Sequence, residues 1–441
     1  MTVRPIRSTR PNRHRAAVTL AVVAVALPLA PLSVDPASAA PIGRVSSVLE
    51  DECDPTNPTL INKTPPGLLQ LGAESANTVA TGNGITVAVV DSGVDARNVH
   101  LSGGVVEAGR DVTPAGTPNG QTDLEGHGTA IAGEIAARKV DGSGVIGLAY
   151  GAKILPIRVY TRDEENAAAS DTVEYTPTAA SIALGIQTAA QAGAKIINVS
   201  LSTNSGSDIL QAAVTYATRR GALVVASAGN RDTSTDKTDT ARYPGAYPDA
   251  LAVAAVDNTG SVTESSIHGS YVDVAAPGVN ILTAFKNAGD CVFANETAST
   301  SYATAYVSAA AALIAEAHPT ETPAQWRYRL EVTALRVRPD TRDDNAGWGV
   351  IQPYEALTFI SDGTAAGPRD PSITSTPTPE VAPDTFVPPV TREADTTARD
   401  QTLWLTLGGV VAVLALALVA LLRRDRKSQV RTKPRTPSGA R

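Results

Sequence analysis

The stretch that most restricts the fold of this 441-residue chain is the segment Ala309 to Ala317, together with the run Thr297-Ala298-Ser299-Thr300-Ser301-Tyr302 before it. The segment is alanine-rich and apolar on nearly every helical face, and a helix of that kind has no side to turn toward water. It has to thread the interior of a large domain, with other layers around it. The small hydroxylated residues ahead of it suit a helix N-terminus, where a side-chain oxygen takes an unpaired first-turn N–H. Such a run is most often only a cap. A serine there can also be reactive, because free N–H groups and the positive end of the dipole favour a developing oxyanion.

The layers around such a helix are legible upstream. Ile85 to Val90 is a short continuous apolar run, the pattern of a strand buried on both faces. Lys153–Val159, Lys195–Leu201, Leu223–Ala226, Leu251–Val256 and Tyr271–Ala275 repeat it. Between them lie helical patterns at Ala130–Arg138, Ala180–Gln191 and Ile209–Arg220, with Asp208 placed to cap the last, and Ala324–Leu335 predicts a closing helix. Strand and helix in alternation predict an α/β fold with a mainly parallel sheet and helices on both faces.

The ends of the chain are of another kind. Arg4, Arg7, Arg10, Arg13 and Arg15 precede the apolar run Ala16 to Leu32 and a small-x-small site at Ala37-Ser38-Ala39, so residues 1–39 read as a secretory signal peptide. Leu403 to Leu422 holds 20 residues without a charge, about 30 Å as a helix, and predicts a transmembrane span at 402–422. Arg423, Arg424, Arg426 and Lys427 follow it, which sets residues 423–441 as a basic cytosolic tail and everything upstream outside. A sortase-type wall signal needs Leu-Pro-x-Thr-Gly, and only Val387-Pro388-Pro389-Val390-Thr391 precedes the run. The expected location is the cell membrane, as a single-pass type I protein with one helix in the lipid bilayer.

The net charge of −7 hides this division, because the signal and tail hold 13 of the 37 basic residues and 2 of the 44 acidic ones. The external part carries about −18, which makes nucleic acid and anionic lipid poor partners for it. In an exported chain the even pair Cys53 and Cys291 suggests a disulfide tying the N-terminal extension to the segment before Ser301. His100, His268 and His318 are scattered without ligand spacing, read as surface or core-edge histidines, and give no metal site. No cofactor is called for. Asp95 reads as a turn residue, and Asp123 and Glu125 as solvated loop charges in preference to groups that tune His127.

Ligands of an open parallel sheet bind beyond the carboxyl ends of its strands. Asp91 and Asn230 fall just past such ends, and His127 and Ser301 at helix starts, so all four can meet on one rim. Aspartate, histidine and serine there can act as orienter, general base and nucleophile. Asp91-Ser92-Gly93, Gly126-His127-Gly128-Thr129, Ala228-Gly229-Asn230 and Thr300-Ser301-Tyr302-Ala303 resemble the four signature segments of the subtilisin-like serine proteases, over roughly Ile85 to Leu357. The resemblance implies a three-layer α/β fold and a catalytic set of Asp91, His127 and Ser301. It further implies an oxyanion hole from the Asn230 amide and the Ser301 N–H, with Ser200, Leu201 and Ser202 as an edge on which an extended substrate pairs.

The whole order of parts is similar to that of the mycosins, membrane-anchored proteases associated with type VII secretion in actinobacteria. It comprises signal, extended arm at 40–82, peptidase domain at 83–358, Pro/Thr-rich linker at 359–401, single helix and basic tail. That resemblance implies a peptide or protein substrate and partnership with membrane components of a secretion machine. The rival reading is a protease-shaped structural subunit that stabilises such a complex with little catalysis. Two positions depart from the family pattern. Ala305 stands where the family has proline, which suits a helix interior. Ser299 stands where the family has glycine, and would be strained if the backbone there needed a positive φ.

Overall fold

The computed structural model describes residues 53–429 except 55, 114–118, 162–175, 235, 296 and 374–396; in the last helix the side chains of 403–419 alone are described. The expected signal peptide, the first part of the arm, most of the linker and residues 430–441 lie outside the described residues. The chain divides between Pro368 and Arg369 into two compact units.

The first unit is organised by a parallel sheet of seven strands: β1 (Thr86–Asp91), β2 (Arg110–Asp111), β3 (Lys153–Arg158), β4 (Ile196–Val199), β5 (Leu223–Ser227), β6 (Ala250–Val256) and β7 (Val274–Pro277). Their order is β2-β3-β1-β4-β5-β6-β7. The chain enters at β1, moves outward on one side to β3, then returns to lay β4 on the other side. β1 is therefore the point where the order reverses, the place at which such sheets open a crevice. The apolar runs form strands because both faces are covered: Val87 and Val89 belong to one core, Ala88 and Val90 to the other.

Two short helices, α1 (Pro66–Gln70) and α2 (Ala73–Asn77), precede the sheet. They correct the expectation of an extended arm over 40–82. Pro66 has the fixed φ that opens a helix, and Leu68, Leu71 and Ala76 are buried against the main core. α3 (His127–Ala136) and α6 (Thr300–Ala317) cover one face of the sheet, and α4 (Ala179–Gln191) and α5 (Asp208–Arg219) the other. Asp208 is the first residue of α5 rather than its cap; Ser207 holds the cap position in extended backbone. The antiparallel hairpin β8 (Ile281–Ala284) and β9 (Asp290–Phe293) sits beside α3, and α7 (Pro323–Val332) and α8 (Pro353–Thr358) close the unit.

α6 is the helix expected from the apolar segment. Every residue from Thr300 to Ala315 is buried, and Ser299 caps it through an oxygen that accepts from the Ser301 N–H. Ser299 lies at φ −120° and ψ 126°, ordinary extended backbone. The strain anticipated for a serine at this point is absent, because the position does not require a positive φ.

The second unit contains α9 (Thr397–Gln429). Its described side chains, 403–419, are apolar apart from Thr406 and cover about 25 Å at 1.5 Å per residue. Among the described residues no helix is long and apolar enough to cross a membrane.

Candidate active site

Asp91 ends β1 at the reversal point of the sheet, wholly buried. Its Oδ1 accepts from His127 Nδ1 at 2.8 Å and from the Ser92 N–H at 2.8 Å, and Tyr160 Oη donates at 3.4 Å. Oδ2 has no hydrogen-bond partner among the described residues. A carboxylate only accepts, so Nδ1 carries a hydrogen, and in the neutral imidazole the lone pair is on Nε2. The His127 side chain remains 21% exposed.

His127 opens α3, and the sequence makes that helix start by an indirect route. Gly126 has φ 97° and carries no side-chain cap. The first-turn donors are taken instead by one residue far away in sequence and one in the preceding loop: Ser92 Oγ accepts from the Gly128 N–H at 3.0 Å, and Asp123 Oδ2 from the Thr129 N–H at 2.8 Å. A side chain on Gly128 would run into the Gly93 carbonyl, which is why the chain has glycine beside the histidine.

Asp123 is not the solvated loop charge expected. It is buried and accepts four hydrogen bonds, from Ser92 Oγ, the Gly126 N–H, the Thr129 N–H and Thr129 Oγ1. Burial raises its pKa against the pull of those donors. It anchors the loop that presents His127. Glu125, also expected in solvent, is half-buried in the cleft wall, and burial lifts its pKa to about 7 against the opposing attraction of His127. For His127 burial lowers the pKa, but the charge and hydrogen bond of Asp91, followed by Glu125 and Asp123, overcome it and raise the pKa to about 9.

Ser301 lies in the first turn of α6. Its Oγ donates to the Ser200 carbonyl at 3.1 Å, while Ser200 Oγ donates back to the Ser301 carbonyl at 2.8 Å. Among the described residues no hydrogen bond joins Ser301 Oγ to His127, so the hydroxyl must rotate before it can hand its proton to Nε2. Asn230 follows β5 and faces the same point. Its Oδ1 accepts from the Thr300 N–H at 2.8 Å and Thr300 Oγ1 at 2.9 Å. A backbone N–H can only donate, so that atom is the oxygen and the other is Nδ2. Nδ2 donates to Ser299 Oγ at 3.4 Å, and the Ser301 N–H donates to the same oxygen at 3.3 Å.

Glu125, His127, Asn230, Ser299 and Ser301 line one cleft of about 760 Å³, which also takes in Ser200, Leu201 and Ser202, while Asp91 and Asp123 lie buried behind it. Leu201 and Ser202 are partly exposed and lie outside the strands, an open edge beyond β4. Cys53 and Cys291 form a disulfide. For Asp123 and Glu125 the sequence favoured solvent over a role beside His127, and at Ser299 it pointed to the backbone and not to the capping oxygen. The one signal for Asp123 was Thr129, whose N–H and hydroxyl need a partner at the start of a helix.

The fold and the rim together define a class. The subtilase family of peptidases (Peptidase S8) matches residues 82–349, and the chain belongs to that family of serine proteases. Mycosin-1 of Mycobacterium tuberculosis (strain ATCC 25618 / H37Rv) is 35% identical over 394 residues, covering 80% of this chain and 83% of its own length. Subtilisin E of Bacillus subtilis (strain 168) is 36% identical over 61% of this chain and 66% of its own. Among solved structures, the MycP3 protease from the type VII (ESX-3) secretion system aligns with a TM-score of 0.57 at 31% identity, over 71% of this chain and 91% of that one.

Proposed function

We propose that this chain is an extracytoplasmic serine endopeptidase that cleaves peptide bonds through Asp91, His127 and Ser301. The observation that carries the reading is the 2.8 Å bond from His127 Nδ1 to a buried Asp91, which leaves Nε2 open on the cleft that Ser301 lines. In this mechanism Ser301 Oγ leaves the Ser200 carbonyl and attacks the substrate carbonyl carbon as its proton passes to Nε2. Asp91 holds the imidazole and balances the imidazolium. The oxyanion takes hydrogen bonds from the Ser301 N–H and Asn230 Nδ2. Collapse of the tetrahedral intermediate breaks the C–N bond, and His127 protonates the leaving amine. Water, activated by the same imidazole, then hydrolyses the acyl-enzyme. The substrate chain pairs along Ser200-Leu201-Ser202 as an added strand.

Two further parts of the proposal rest on other grounds. The uncharged run Leu403 to Leu422 with the basic residues after it supports a permanent membrane anchor, with the peptidase domain outside. Similarity to mycosin-1 and to a protease of a type VII secretion system supports service in a machine of that kind, through membrane components of it. A fluorophosphonate probe tests the chemistry. It should label the full-length chain at Ser301 and leave Ser301→Ala unlabelled; absence of label from both proteins leaves the scaffold reading in its place.

A further inference from the structure

We propose that the Ser299 hydroxyl is a resident occupant of the oxyanion position, which every substrate must displace before acyl transfer. The inference rests on the nucleophile assignment above and adds to it a residue that sets the enzyme's resting state. Two donors point at the place where an oxyanion would form, the Ser301 N–H and Asn230 Nδ2, and both already end on Ser299 Oγ, at 3.3 Å and 3.4 Å. Nothing else in the hole can turn away to release them. Asn230 is held by two donors on its Oδ1, and Thr300 Oγ1, which supplies one, is itself bonded to Ser227 Oγ at 2.6 Å. Ser227 Oγ in turn accepts from the Gly229 N–H at 3.0 Å. The Ser301 N–H is fixed by the first turn of α6. Among the described residues that make these bonds, the Ser299 side chain can release both donors by rotating about its Cα–Cβ bond.

The backbone at Ser299 is unstrained, so the hydroxyl and not the main chain distinguishes this position. The same oxygen caps α6, which ties the stability of the helix to the closed state of the hole. A developing oxyanion makes shorter and stronger bonds to these donors than a neutral hydroxyl does, so it wins the exchange. A neutral substrate carbonyl gains much less, and the resident hydroxyl delays its approach. The two bonds are long and neutral, at the weak end for such interactions, so their removal should speed acylation by about three- to tenfold.

The test uses the full-length chain and four proteins: wild type, Ser299→Ala, Ser299→Gly and Ser299→Thr. The second-order rate of fluorophosphonate labelling and kcat/KM on a peptide substrate should rise by about three- to tenfold in the alanine and glycine variants. The threonine variant, which keeps an oxygen, should stay near wild type. Thermal unfolding should move the opposite way, with Ser299→Ala less stable because the cap is lost. A role confined to capping lowers stability without the gain in rate, so equal or slower labelling of folded alanine and glycine variants overturns the inference while the protease assignment stands. No label at Ser301 in any of the four proteins overturns the assignment itself. A measurement without variants is a structure of the wild type with a peptide boronate bound at Ser301. A boronate oxygen on both donors, with Ser299 Oγ rotated out, supports the inference; Ser299 Oγ still lying between the donors ends it.

Discussion

Among the described residues the molecule holds two histidine–aspartate pairs of almost equal length, and they stand in different surroundings. His127 meets Asp91 at 2.8 Å; His100 meets Asp290 at 2.7 Å. Each has a serine nearby. Around Asp290, Ser143 Oγ donates to the carboxylate at 2.6 Å, and the Ile61 N–H donates to it at 2.7 Å. His100 has its other nitrogen against the Arg138 carbonyl at 2.7 Å, and both side chains of this pair are fully buried. Both imidazole nitrogens are committed to oxygen acceptors, so neither can take a proton from a hydroxyl. His127 has one nitrogen on a carboxylate and one facing a cleft. A histidine–aspartate bond therefore says little about chemistry; the occupancy of the second nitrogen decides it.

The comparison is broken most sharply by making the same change in each pair. Asp91→Asn should reduce kcat/KM by roughly four orders of magnitude, because the amide holds the imidazole in the wrong tautomer, with little change in unfolding. Asp290→Asn should leave kcat/KM of the folded protein near wild type. It should lower stability by about 3–5 kcal/mol, since a buried charge network that fastens the arm through Ile61 is undone. Steady-state kinetics beside thermal unfolding separates the two; a large kinetic loss at Asp290 with intact folding would remove the distinction. Ser143→Ala is the milder version of the structural change. It strips one hydrogen bond from a buried carboxylate and one acceptor from the Val145 N–H, and should lower stability by about 1–3 kcal/mol with catalysis unchanged.

The same contrast explains what the sequence made legible. Strands and the long buried helix were readable because their burial on both faces writes a continuous apolar run, and the ends of those runs placed Asp91 and Asn230 on one rim. Ser301 was readable because it starts a helix that can only be internal. His100, expected at the surface or the core edge, is fully buried, and its partner Asp290 lies 190 residues away, so no local pattern joins them. Asp123 was misread for a related reason. A charged residue in a Gly-rich loop is solvated by default; Gly126 and Thr129 are close to Asp123 in sequence, but Ser92, 31 residues away, joins them only in the folded chain. The helices of the arm escaped because five residues each are too few to show a 3.6-residue period. At Ser299 the sequence pointed to the right position for the wrong reason: the backbone is relaxed, and the side-chain oxygen carries the consequence.

On the cleft side, Glu125 should have a smaller effect, read in the pH dependence of His127. His127 has its pKa raised to about 9, chiefly by Asp91 once the opposing effect of burial is overcome, with Glu125 adding to the rise. A protonated imidazole cannot accept the Ser301 proton, so kcat/KM should climb with pH up to that range and level off above it. Glu125 itself titrates near 7, so it is charged where the histidine changes state. Glu125→Gln removes one negative charge and must lower the pKa of His127. The rise in kcat/KM then moves to lower pH, and activity near neutrality increases. The fully buried His100 lies in a separate cluster, and Ser143→Ala should leave the same profile where it was. A pH–rate profile of the three proteins decides the matter: a midpoint that stays fixed or moves upward in Glu125→Gln means that the imidazole does not sense this carboxylate, and that Asp91 sets its basicity without help from the cleft wall.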